Sequence, residues 1–215
     1  MDTLLIGCGT LEDEVRKVVA ALPWPLRVIF TKPALHDLPT AQMRAALQEE
    51  LAAVEPEVCR VLFAYGLCGG ALKGLTTGNF TLIVPRADDC LPLLLGSREK
   101  VTAVAQIPTF FLTAGWIKFS NQCYYDTLVS MGERKTAKVY EMMLANYKRF
   151  LFIDTGAYDI IQARADMKDR LQRHGLPADQ APGDLNWLER LVSGPWPECD
   201  FLTVLPHSQV QWEER

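Results

Sequence analysis

The sequence has no apolar run approaching the roughly 20 residues that a membrane-spanning helix needs. It has no run of Lys and Arg either. Its 22 basic residues are outnumbered by 26 acidic ones, for a net charge of −4, which argues against nucleic acid or an anionic membrane as a partner. No basic segment precedes the first apolar run, and Glu12, Asp13 and Glu14 follow it. No secretory signal is therefore expected, and the expected location is the cytoplasm. In that reducing compartment the six cysteines are not expected to form structural disulfides. A dinucleotide fingerprint is also missing. Gly7-Cys8-Gly9 opens like one, but Glu12 stands where the third glycine belongs, and a carboxylate at a helix start repels a pyrophosphate.

What is present is an ordinary globular composition, with 49% hydrophobic and 22% charged residues. Short continuous apolar runs predict strands at Thr3–Gly7, Leu26–Phe30, Val58–Ala64, Phe80–Val84, Thr109–Thr113, Phe150–Ile153 and Phe201–Leu205. Helical spacing falls between them. Thr10 is expected to cap a stripe of Val15, Val18, Val19 and Leu22. Thr40 is expected to cap a helix carrying Met43, Leu47 and Leu51. Further helices are expected at Leu91–Arg98, Asn121–Met131, Lys135–Arg149, Ala157–His174 and Leu185–Leu191, with a loop from Pro177 to Gly183 and a tail over Val210–Arg215. Alternating strands and helices predict an α/β fold: an open, mostly parallel sheet with helices on both faces, a Rossmann-like three-layer arrangement. The chain reads as a single domain over residues 1–215. The proline-bearing stretch from about residue 175 is the one seam for a C-terminal subdomain.

Four potential metal ligands, Cys8, His36, Cys68 and Cys90, each follow a separate predicted strand. Open parallel sheets bind ligands outside the carboxyl ends of their strands, so the predicted fold would carry all four to one rim. Thiolates with an imidazole suit zinc, and thiolates alone suit an iron–sulfur cluster. Gly9, Gly69 and Gly70 would let the backbone turn close to a bound group. Trp116 would wall the rim, and Asp154-Thr155-Gly156 has the look of a phosphate-handling turn. Arg86, Asp88 and Asp89 are candidate catalytic groups, as acid, base or anion-binding residues, and His207 could reach the same rim. Taken one at a time, these residues have plainer readings: a buried cysteine usually only packs, and a loop histidine usually only hydrogen-bonds. Cys59, Cys123 and Cys199 are read as packing or surface residues.

Several segments together resemble the prokaryotic family DUF1638, a domain of unknown function. They are Gly7-Cys8-Gly9, Leu35-His36, Tyr65-Gly66-Leu67-Cys68-Gly69, Pro85-Arg86-Ala87-Asp88-Asp89-Cys90 with Leu93-Leu94-Leu95-Gly96-Ser97, and Leu112-Thr113-Ala114-Gly115-Trp116. The chain departs from the family pattern at Asp88, where histidine is expected before Asp-Cys; that would make the site harder and less zinc-like. The resemblance implies an association with corrinoid-dependent methyltransferase systems. The resulting expectation is a zinc–thiolate site serving methyl or one-carbon transfer, with a small-molecule substrate or a corrinoid protein as partner. Three alternatives stay open: an iron–sulfur redox protein on the same cysteines, a metal-free binding protein, and a thiol enzyme using Cys68 as nucleophile.

Overall fold

The computed structural model describes residues 2–212; residues 213–215 of the expected tail lie outside the described residues. Three apolar runs form the buried heart of the first sheet: β1 (Asp2–Gly7), β3 (Val58–Ala64) and β4 (Thr81–Pro85). They pair in parallel, Leu4 opposite Val61 and Val61 opposite Leu82. β2 (Arg27–Phe30) lies parallel at the outer edge beside β1, and its side chains alternate between half-buried and exposed, as an edge strand's do. β8 (Phe201–Val204) closes the other edge antiparallel to β4, giving the order β2-β1-β3-β4-β8. The fold is thus the expected α/β class, with a mostly parallel five-stranded sheet flanked by helices.

The expected single run of parallel strands divides in two. The outer edge of β4 is occupied by β8, so the next strand cannot add there. β5 (Thr109–Leu112) instead starts a second parallel sheet with β6 (Arg149–Asp154) and β7 (Ala178–Pro182), in the order β5-β6-β7. β7 corrects the loop expected over Pro177–Gly183. Its sequence has no β-branched residue, and as an edge strand with half-buried or exposed side chains it needs none.

The first sheet carries α1 (Glu12–Ala20), which buries Val15 and Val18, and α2 (Thr40–Ala52), which buries Met43, Leu47 and Leu51. Pro39, not Thr40, is the N-cap of α2, and the Thr40 hydroxyl donates to the Gly69 carbonyl at 3.5 Å. Thr10 does not cap α1. It sits in a 3-10 turn, Gly9–Leu11, and its hydroxyl oxygen accepts from the Ala34 amide at 3.2 Å. The expected Leu91–Arg98 helix is two pieces, α3 (Leu91–Leu95) and α4 (Arg98–Ala105), parted by left-handed Gly96. α5 (Ala114–Met131) starts seven residues earlier than expected and is capped by Thr113, whose hydroxyl accepts from the Trp116 amide at 3.3 Å. α6 (Glu133–Leu144) follows, and then the expected Ala157–His174 helix breaks at Met167 into α7 (Ile160–Asp166) and α8 (Lys168–His174). α9 (Asn186–Ser193) precedes β8.

Two hydrophobic clusters match the two sheets. The larger surrounds β1, β3 and β4; the smaller gathers Leu112, Ile117, Leu144, Phe150, Phe152 and Met167. Polar contacts between α1 and the second sheet's side join them. Lys17 donates to the Thr155 carbonyl at 2.9 Å, Lys118 of α5 pairs with Asp13 at 2.7 Å, and the Thr155 hydroxyl donates to Glu14 Oε1 at 3.1 Å. Glu14 is fully buried, and its Oε2 has no partner among the described residues.

Burial pushes the Glu14 carboxyl up to about 7 from an ordinary 4.5. The folded state therefore holds this proton at pH values where the unfolded chain has released it, and the group's contribution to stability falls as pH rises from about 4.5 through about 7. Glu14→Gln removes this term. The variant is expected to gain on wild type by up to about 3 kcal/mol between pH 5 and pH 8, read from denaturant unfolding at both pH values. A difference that does not change with pH would contradict this.

Candidate functional site

The loops leaving β1, β2, β3 and β4 are tied to one another by backbone contacts. The Cys8 amide donates to Ala64 at 3.3 Å and the Thr31 amide donates to Gly7 at 3.0 Å. After β3 and β4 the tie is tighter: the Leu67 amide donates to Ala87 at 2.7 Å and the Cys68 amide to Asp88 at 2.9 Å. Gly66 lies so close beneath this pair that a Cβ there would sit 2.4 Å from the Asp89 carbonyl. Cys68 adopts a left-handed conformation, φ 46°, unusual for a residue with a side chain. Cys68 and Cys90 line one cavity.

Cys8, Cys68 and Cys90 stand close enough that a charge on one opposes a charge on the others. Burial, the nearby Cys8 thiol and Asp89 together push the Cys68 thiol up to about 12. Burial first, then Cys68, Asp89 and Cys8, push Cys90 well above its ordinary value. Left to themselves, both are neutral thiols at pH 7. Tyr65, buried below, places its hydroxyl beside Cys8 and against the Thr31 hydroxyl. Burial also raises Asp89, whose Oδ1 accepts from the Leu91 amide at 2.8 Å and which feels the charge of His36. His36 sits in a 3-10 turn, Leu35–Asp37, and meets the Trp116 ring edge-on at 5.0 Å.

Cys68, Cys90, Asp89, His36, Gly69 and Trp116 share a cavity of 690 Å³ between the two sheets. Its other wall is apolar and aromatic: Phe110 and Phe111 of β5, Phe119 of α5, Tyr140 and Met143 of α6, and Tyr147. Cys123 and Arg170 also line it. Sequence reasoning missed this second wall. Trp116, Phe119, Ser120 and Cys123 follow helical spacing, but the signal is hidden when the helix is started at Asn121, behind Gly115.

The remaining candidate residues lie elsewhere. Cys8 is buried, its thiol 3.5 Å from the Thr10 hydroxyl, and it does not line the cavity. Gly9 packs against the backbone after β2, where a Cβ would fall 2.4 Å from the Thr31 carbonyl, so it serves loop packing. Gly70 accepts from Arg44 at 3.0 Å. Arg86 points to the C-terminal segment, donating to Glu198 at 2.8 Å, and Asp88 is exposed, 3.5 Å from Arg98. Asp154 accepts from the Gly156 amide at 3.1 Å and from Gln180 at 3.0 Å, while Thr155 is engaged with Glu14. His207 lies at the opposite end of the first sheet, its amide donating to Gly78 at 3.0 Å, because β8 runs antiparallel.

Among the described residues, no three His, Cys, Asp or Glu side chains form a ready metal-binding group. The donor chemistry still suits a soft divalent cation, with two thiols, an imidazole and a carboxyl lining one cavity and the buried Cys8 thiol close to Cys68. Such a cation would have to draw in side chains that are neighbours without yet being a coordination set.

The cavity depends on α5 meeting the β1 exit. A Cβ on Gly115 would lie 2.1 Å from the Thr10 carbonyl. In an open helix Gly→Ala stabilises by roughly 1 kcal/mol. Here Gly115→Ala is expected to destabilise by about 1–3 kcal/mol and to loosen the Trp116–His36 contact, read as a lower Tm with a change in Trp fluorescence. A Tm at or above wild type would contradict this packing.

Comparison with known proteins follows the same segments. The family model described as "Protein of unknown function (DUF1638)" matches residues 30–192, a span that includes His36, Cys68, Asp89, Cys90 and Arg170 but not Cys8. Searches of the curated proteins and of the solved structures returned no match. With most of its length matched, the chain belongs to the DUF1638 family.

Proposed function

We propose that the cavity between the two sheets is a substrate chamber whose thiol wall holds a zinc ion and activates a substrate thiol for methyl or one-carbon transfer. One observation carries the reading. The Cys68 and Cys90 thiols, delivered by two strand exits that backbone hydrogen bonds tie together, line one cavity with His36 and Asp89, and the Cys8 thiol is buried close by. Packing alone does not require three thiols there. Cys8, Cys68 and Cys90 would hold the ion, with His36 as fourth ligand or base. A zinc ion so held supplies a site where a thiol binds as its thiolate at neutral pH.

The chain's own residues have defined parts in this scheme. His36 takes the proton that the substrate thiol releases. The aromatic wall excludes water from the sulfur, which leaves its lone pair free for attack. The sulfur–carbon bond forms as the bond from the methyl carbon to its donor breaks, and that bond's electron pair stays on the donor. The one-carbon chemistry, and a corrinoid protein as methyl donor, rest on the family resemblance. A bare Cys68 nucleophile is disfavoured, because a thiol pushed up to about 12 is protonated at pH 7.

The test is metal and acid-labile sulfide content of anaerobically purified full-length protein, beside Cys68→Ser and Cys90→Ser. The expected result is about one zinc per chain without sulfide, reduced severalfold in each variant. Iron with sulfide would replace this reading by a redox one. Metal-free wild-type protein that takes up no added zinc would overturn it.

A further inference from the structure

Arg170, in the middle of α8, lines the cavity, and among the described residues it is the only Lys or Arg that does. Its guanidinium lies over the rings of Tyr124 and Tyr140, at 5.1 and 5.6 Å from their centroids. All of its hydrogen bonds leave from Nη1: to Asn121 Oδ1 at 2.6 Å, to Ser120 Oγ at 3.4 Å and to the Met167 sulfur at 3.8 Å. Nε is shut off from water with no partner among the described residues. Nη2 makes no hydrogen bond there either, and no carboxylate of the described residues pairs with the group. The group is half-buried, and desolvating a cation without a matching anion is costly. The neighbouring tyrosine faces offset part of that cost, but they satisfy no N–H.

Nη2 is the donor of the group left without a protein partner among the described residues, and it can give a carboxylate oxygen a charge-assisted hydrogen bond. Nη1 is meanwhile held by Asn121 and Ser120, so the guanidinium is fixed in place rather than free to turn. Between Arg170 and the thiol wall the cavity offers Phe110, Phe111, Phe119, Tyr140, Met143 and Tyr147. These surfaces suit a flat or branched apolar body and provide no second charge.

From this arrangement we infer that the cavity binds a small organic carboxylate with an apolar, preferably aromatic, body: its carboxylate accepts from the unpaired Nη2 of Arg170, and its other end faces Cys68 and Cys90. The inference names the substrate class of the chamber proposed above and rests on that reading. Asn121 and Ser120 are positioning residues in this scheme, since they act through Arg170.

The probe set is a series of ω-phenyl carboxylates, from phenylacetate to 6-phenylhexanoate, each with its uncharged amide. Each compound competes against the neutral fluorophore N-phenyl-1-naphthylamine on full-length protein at pH 7.5. At least one chain length is expected to bind about tenfold or more tightly as the carboxylate, the size of a charge-assisted hydrogen bond. In Arg170→Met the preference is expected to fall to near one while fluorophore binding persists, and Arg170→Lys keeps part of it. Should Arg170→Met fail to fold, Arg170→Lys is read instead: a reduced preference supports the inference and an unchanged one overturns it. The measurement is repeated on chelator-treated protein and on Cys68→Ser, where the preference is expected to remain; a failed zinc site is thereby separated from a failed carboxylate site. No carboxylate preference at any chain length, or a preference that survives in Arg170→Met, would overturn the inference and leave Arg170 as a tie between α5 and α8.

Discussion

The backbone tie between the loops after β3 and β4 is the constraint from which the site follows. Two amide–carbonyl bonds, Leu67 to Ala87 and Cys68 to Asp88, hold the loops in register, and Gly66 lets them close to backbone contact. Together with the left-handed turn at Cys68, they bring one thiol beside another and beside Asp89. Without them the two cysteines would belong to independent loops, and their ionisation would not be linked. The strain of a non-glycine residue in that conformation is of order 1–3 kcal/mol. The sheet below and the paired loops supply the compensation.

From that tie the second wall can be understood. The second sheet exists because β8 occupies the edge that β5 would otherwise have joined. Its displacement opens space at the strand exits instead of filling it with another crossover. α5 spans the gap, touching the β1 exit at Gly115 and presenting Trp116 to His36. One side of the resulting cavity carries Cys68, Cys90, Asp89 and His36, and the other is apolar and aromatic with Arg170.

The parts legible in the sequence were those governed by local pattern. Continuous apolar runs marked β1, β3 and β4, spacing four marked the buried face of α2, and the Cys68 turn announced itself through Gly69 and Gly70. The parts that were not legible depend on distant contacts. Pairing of β8 with β4 links residues more than a hundred positions apart, and it decides both the split of the sheet and the removal of His207 from the rim. β7 has the composition of a loop and becomes a strand only because β6 offers an edge. Gly115 opens α5 rather than preceding it because its missing side chain leaves room for the Thr10 backbone. Arg170 lies in a polar helix with Lys168 and Arg173, and only its enclosure distinguishes it from them. Asp154 and Thr155 formed a plausible turn motif, but their polar atoms are used in tying β6 to β7 and the end of β6 to α1.

The claim at the centre of this account is that thiols from separate strand exits act as one centre. X-ray absorption at the zinc edge of zinc-loaded full-length protein tests it most directly. The account predicts a shell of sulfur scatterers at about 2.3 Å, with lighter atoms near 2.0 Å, and fewer sulfurs when Cys8, Cys68 or Cys90 is changed singly to Ser. A shell of oxygen and nitrogen alone, unchanged in all three variants, would mean that the ion is bound elsewhere and that the three thiols are neighbours without a shared function.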